Sequence, residues 1–146
     1  MEDLQYIQKE AKTELDCLDV LIRLARYLRT PEGCPWDRRQ TSRNFAEFLQ
    51  NESVELLEAF DEEDNPHIAE EVGDCLFTLL ACAAAAESEG RFQLGDVLQG
   101  IHRKMIRRHG HVFAAEKAAT AEEAMDAWNR VKAEESAEKA ARENAE

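Results

Sequence analysis

All three prolines of this chain fall at two places, Pro31 and Pro35 in "TPEGCPWD" and Pro66 in "DEEDNP", and that placement limits the fold more than any other feature. Proline lacks a backbone N–H and clashes with the preceding helical turn, so these two segments are breaks. The runs around them are helical in period. Leu4, Ile7, Ala11, Leu15, Leu18, Ile22, Ala25 and Leu28 recur at helical spacing, which predicts an amphipathic helix over about residues 3–29. Thr30–Asp37 is then a loop, and Asp37 with Gln40 resembles a capping box that starts a short helical turn.

A second helix is expected over about Ser42–Phe60. Asp61–Pro66 breaks it, and Pro66 suits the first turn of a third helix that continues to Glu89, before Gly90. The middle of the third helix, "LLACAAAA", has side chains small enough for another helix to approach closely. A fourth helix is expected over about Leu94–Arg108 and a fifth over about Ala121–Lys132. The tail beyond, residues 133–146, has no large apolar side chain and reads as a charged helical or frayed end. Neither an alternating strand pattern nor a long repeat competes. The expectation is an all-α antiparallel bundle of about five helices, with one domain over residues 1–132.

A net charge of −13 argues against nucleic-acid or anionic-membrane partners. No apolar run approaches the roughly 18–20 residues that span a bilayer. The opening "MEDLQYIQKEAKTE" lacks the basic start and apolar middle of a secretory signal, so the expected location is the cytoplasm. The cysteines show no CxxC spacing, and Cys75 and Cys82 read as small reduced core residues.

The acids of the second and third helices are not uniformly solvent-facing. On a helical wheel Glu52 falls within the apolar arc of Phe45, Phe48, Leu49 and Leu56, and Glu55 at its margin, whereas Glu58 faces away. On the third helix Glu71 lies within the stripe of Ile68, Val72, Cys75 and Leu79, Asp74 lies at its margin, and Glu70 faces away. Helices joined by a short connection are antiparallel neighbours. Glu52 and Glu55 stand about as far before the break as Glu71 and Asp74 stand after it, so these carboxylates are expected at one level. Gathered at a partly buried seam, they would repel one another and lose hydration unless a cation sat among them. Oxygen-only donors suit Mg²⁺ or Mn²⁺. A ferritin-like di-iron centre needs Glu-x-x-His on inward faces. Here the pair is Glu71-x-x-Asp74, and His67 precedes it.

The opposite charge is concentrated in "HRKMIRRHGH", His102–His111. Lys104 and Arg108 share a helical face, with Arg107 beside them. Cations in a last turn complement the helix dipole, and beside a carboxylate-held Mg²⁺ they also suit substrate phosphates. Trp128 and Lys132 offer an aromatic face and one cation on the last helix, with core packing of Trp128 as the alternative.

Taken in order, "LRTPEGCPWDRRQT", the E-x-x-E of "NESVELLEAF", "EEVGD", "EGRFQLGDV", "KMIRRHGHVF" and "WNRVK" resemble the MazG nucleoside triphosphate pyrophosphohydrolases of the all-α NTP pyrophosphatase superfamily. The resemblance runs from about Leu28 to Lys132. It implies that Glu52, Glu55, Glu71 and Asp74 bind Mg²⁺, that Lys104, Arg107 and Arg108 bind the triphosphate, and that Trp128 and Lys132 complete the site. It further implies hydrolysis of an NTP or dNTP to the monophosphate and pyrophosphate by dimers or higher homo-oligomers, for which the small "ACAAAA" face suits a helical contact. In the implied chemistry water attacks the α-phosphorus, with Glu55 as the proton acceptor beside Glu52, and Lys104 and Arg108 stabilise departing pyrophosphate. Two positions depart from the family pattern: Asn51 stands for the first acid of E-E-x-x-E, and Gly110 for the usual proline of "RRHPHVF". Asn51 cannot serve as a base, which motivates the alternative of a weakly active or non-catalytic nucleotide-binding module.

Overall fold

The computed structural model describes residues 2–8, 10–113 and 117–144. The described residues form α1 (Glu2–Ile7), α2 (Glu14–Tyr27), α3 (Pro35–Arg39), α4 (Ser42–Asp61), α5 (Asn65–Ser88), α6 (Leu94–Arg108), α7 (Gly110–Phe113) and α8 (Ala121–Glu143), and no strand occurs among them. The all-α expectation holds. The chain divides into two compact units, Met1–Leu94 and Gly95–Glu146.

In the first unit α4 packs along α5, α2 packs on α5, and α1 packs on α2. The alanines of α5 let these helices approach. Ala83 and Ala84 meet Ala25, Leu80 and Leu94, with Leu21, Ile22 and Phe77 against them. Ala81 and Ala85 meet Phe45, with Phe48 and Cys82 alongside. The small face expected to suit a second copy is therefore taken up by the chain's own α2 and α4. Cys82 belongs to this packing: its Sγ–H donates to the Ser42 carbonyl at 3.3 Å, and burial pushes its thiol up.

The single helix expected over about residues 3–29 is two helices. Thr13 is the N-cap of α2 and forms a reciprocal capping box with Asp16, so a new helix starts there despite the continuous apolar period. Leu15, read as part of the apolar stripe, is 78% exposed. The short helical turn also begins earlier than Asp37. Pro35 sits in the first turn of α3 behind Cys34, its fixed φ setting the helical start, and Gln40 is the C-cap.

Trp36 of α3 stacks on Phe48 at 5.6 Å and meets Phe45 edge-on at 6.3 Å, so the loop is pinned to α4. Arg29 fixes its other side: Nη1–H donates to the carbonyls of Asp37 at 2.7 Å and Gln40 at 3.1 Å, and Nε–H to Ser88 Oγ at 3.0 Å. The break between α4 and α5 falls as expected. Glu62 is the C-cap of α4, Glu63 takes the left-handed φ of 55°, and Asp64 caps α5 with Pro66 in its first turn.

In the second unit α7 packs on α8. The fifth helix runs on through the tail to Glu143, so of the two readings of residues 133–146 the helical one holds as far as Glu143. Its extension is held by ion pairs described below.

Candidate active site

The α4–α5 pair sets the acids. On α4, Glu52 is half-buried and Glu55 exposed; on α5, Glu71 is buried, only 5% exposed, and Asp74 is exposed. One carboxylate oxygen from each of Glu52, Glu55 and Glu71 lies within 4.8 Å of the others. Asp74 stays outside this group of three, although its charge reaches Glu52. Burial first, and then the charges of Glu55, Asp74 and Glu71, push the Glu52 carboxyl above the ordinary carboxylate range.

Glu71 carries the sharpest signal. Its Oε2 is buried and has no hydrogen-bond partner among the described residues. A buried carboxylate oxygen without a partner is costly and rare. The Glu71 carboxylate converges with those of Glu52 and Glu55, and three carboxylates with no soft ligand are the donor set of a hard divalent cation. Its other oxygen, Oε1, lies 3.2 Å from Nε2 of His67. The imidazole in turn has Nδ1 3.1 Å from Oε2 of Glu62. Glu62, then the charges of Glu71 and Asp64, push the His67 imidazole up, against the effect of burial. Neither His67 nor Glu62 stood out in the sequence as a site residue. The available signal was the four-residue spacing of His67 and Glu71 on one helix face.

In the second unit two of the three expected phosphate ligands, Arg107 and Arg108, are engaged by glutamates of α8. Arg107 Nη1 and Nη2 donate to the Glu138 carboxylate at 2.8 and 2.7 Å. Arg108 Nε and Nη2 donate to Glu135 Oε2 at 2.9 and 2.6 Å. Each guanidinium holds its partner's carboxyl below the ordinary range. Arg108 also lies 5.1 Å over the Trp128 ring, which His109 meets edge-on at 5.0 Å. Trp128 is thus half-buried against the cation cluster, while Lys104 and Lys132 are exposed. Gly110 opens α7, a first-turn position that also suits proline.

A profile described as the MazG nucleotide pyrophosphohydrolase domain matches residues 40–113. The chain is 44% identical over 109 residues to the uncharacterized protein YabN of Bacillus subtilis (strain 168), a match covering 75% of this chain and 22% of that protein. It is 40% identical over 124 residues to the nucleoside triphosphate pyrophosphohydrolase of Escherichia coli (strain K12), covering 84% of this chain and 47% of that one. The chain therefore spans less than half the length of these curated relatives. The fold matches the crystal structure of a MazG-related protein from Thermotoga maritima with a TM-score of 0.67 at 30% identity, over 78% of this chain and 97% of that chain.

Proposed function

The chain belongs to the MazG nucleotide pyrophosphohydrolase family, and from that premise we propose that it hydrolyses nucleoside triphosphates, ribo or deoxy, to the monophosphate and pyrophosphate in a Mg²⁺-dependent reaction serving the nucleotide pool. The observation that carries the reading is Glu71, whose carboxylate gathers with those of Glu52 and Glu55 and whose buried Oε2 has no hydrogen-bond partner among the described residues. These three would hold the cation, with Asp74 contributing charge and its own carboxylate at the margin; Mn²⁺ suits the same oxygens. When bound, Mg²⁺ supplies neutralisation of phosphate oxygens and activation of water.

The chain's own residues supply the rest. Glu55, exposed at the cluster's edge, accepts the proton of the attacking water, and Glu52 shares its level on α4. Lys104, Arg107 and Arg108 bind the triphosphate, Arg107 and Arg108 exchanging Glu138 and Glu135 for phosphate oxygens, and Lys104 and Arg108 stabilise departing pyrophosphate. Trp128 holds Arg108 from one side, and Lys132 adds a further cation. Assembly of copies through α4 and α5 is part of the proposal. Val54 and Leu57 on α4, and Val72 and Leu79 on α5, are each half or more exposed despite being apolar.

Asn51 favours a second reading, a nucleotide-binding module with weak or no turnover, because an amide stands where the family pattern has an acid. One assay separates the two: each NTP and dNTP is incubated with the protein and Mg²⁺, and the products are resolved. Monophosphate with pyrophosphate is expected. Orthophosphate alone would sink the cleavage position, and metal-dependent nucleotide binding without turnover would establish the second reading.

A further inference from the structure

We propose that His67 is a positioning residue for the cation cluster, holding Glu71 so that Oε2 faces Glu52 and Glu55, while Glu62 holds His67. The inference rests on the cation role proposed for these acids. The terminal torsion of a glutamate is broad and roughly two-fold, so a carboxylate aimed at a ligand needs one oxygen fixed. On Glu71 that oxygen is Oε1, 3.2 Å from Nε2 of His67. A lone imidazole would itself turn. Here Nδ1 is 3.1 Å from Oε2 of Glu62, which caps the end of α4, so the ring is held from the neighbouring element. The chain Glu62–His67–Glu71 crosses the α4–α5 turn and ends on the carboxylate whose other oxygen, Oε2, is buried and unpartnered among the described residues. Partners behind a ligating group typically matter by about 10–100-fold in metal affinity.

The test titrates Mn²⁺ alone into the full chain, read by calorimetry and by loss of the free-ion paramagnetic resonance signal, with helix content followed by circular dichroism. His67→Ala should bind Mn²⁺ about tenfold or more weakly at unchanged helix content. His67→Gln, which presents an N–H donor near the position of Nε2, should recover most of that loss, and Glu62→Ala should fall between wild type and His67→Ala. A role confined to stabilising the turn would move helix content or melting and leave Mn²⁺ affinity alone. Equal or tighter Mn²⁺ binding by His67→Ala overturns the proposal, the tighter case marking His67 as a repelling cation. Absence of Mn²⁺ binding by the wild type overturns it as well. Should His67→Ala lose helix content, Glu62→Ala decides, weaker binding supporting the role and unchanged binding overturning it. Nucleotide cleavage is read separately. A chain that cleaves no NTP but shows this Mn²⁺ pattern loses the proposed activity and keeps the role of His67; cleavage with Mn²⁺ affinity indifferent to His67 does the reverse.

Discussion

Glu89 closes the start of α4: its carboxylate accepts the backbone N–H and the hydroxyl of Ser42, each at 2.7 Å. These bonds, together with Arg91, pull the Glu89 carboxyl down to about 2 from an ordinary value of 4.5. A carboxylate at a helix N-terminus also meets the positive end of the dipole. A group depressed in the folded state contributes stability that is full above its unfolded pKa and is lost as pH falls through its folded one. The thermal midpoint of the wild type should therefore decline between about pH 5 and pH 2. Glu89→Gln should lower the midpoint at pH 7 and flatten the decline. Parallel wild-type and variant curves, measured by circular dichroism, would remove Glu89 from this role.

Glu71→Gln separates a ligand from a structural acid by its effect with and without the cation. Without a divalent cation, the substitution relieves repulsion with Glu52 and Glu55 but weakens the contact with His67, so the melting temperature should change little. With Mg²⁺ at 100 times its Kd, the wild type should gain about 2.7 kcal/mol, a rise of several degrees, and the variant should gain almost nothing. Turnover should fall at least about a hundredfold, equivalent to ~2.7 kcal/mol of barrier. A lower melting temperature without metal, with the Mg²⁺ response intact, would make Glu71 a structural residue.

Two backbone positions carry opposite expectations. A Cβ at Gly33 would stand 2.2 Å from the Tyr27 carbonyl oxygen and 2.6 Å from the Leu28 carbonyl. These are backbone atoms at the end of α2, so nothing flexible can yield. Gly33→Ala should cost about 1–3 kcal/mol and loosen the loop that carries Trp36. Glu63, with φ of 55°, pays for a left-handed conformation that glycine adopts freely, and Glu63→Gly should stabilise by about 0.5–1 kcal/mol. Urea unfolding midpoints at constant slope decide both.

What the sequence made legible was whatever depends on neighbours along the chain. Pro66 and the break before it fall where expected because proline placement is a local steric matter. The convergence of Glu52, Glu55 and Glu71 follows from helical period and a short turn, both readable from spacing. Thr13 was hidden because a local capping box interrupted an apolar period that ran on through it. Asp74 acts on Glu52 by charge but lies outside the group of three, because a wheel fixes the side of a helix and not the reach of a side chain. His67 precedes the Glu71–Asp74 pair and so does not fit a Glu-x-x-His ligand pattern, although that same spacing puts it against Glu71. The tail was least legible, since the groups that hold it lie far back in sequence on α6.

That distance makes the tail a direct test of non-local charge. Beyond Lys132, α8 has no large apolar residue to bury, so little besides its own hydrogen bonds and its ion pairs keeps it helical. Glu135 and Glu138 lie on one face and take Arg108 and Arg107. The Arg107–Glu138 pair is exposed and the Arg108–Glu135 pair partly buried; exposed pairs are individually weak, but at a marginal helix end a small term decides fraying. Because both carboxyls are depressed when folded, their contribution is full above the ordinary glutamate range and lost only at pH values below it. Glu135→Ala/Glu138→Ala should lower amide-exchange protection across residues 133–143 several-fold at neutral pH, with protection before Lys132 nearly unchanged. Glu143→Ala, which removes only the Lys139 partner, should do much less. The wild type should come to match the double variant only at pH values well below the ordinary glutamate range. Equal protection in the two proteins at neutral pH would mean that backbone propensity alone holds the end of α8, with Glu135 and Glu138 as bystanders on its surface.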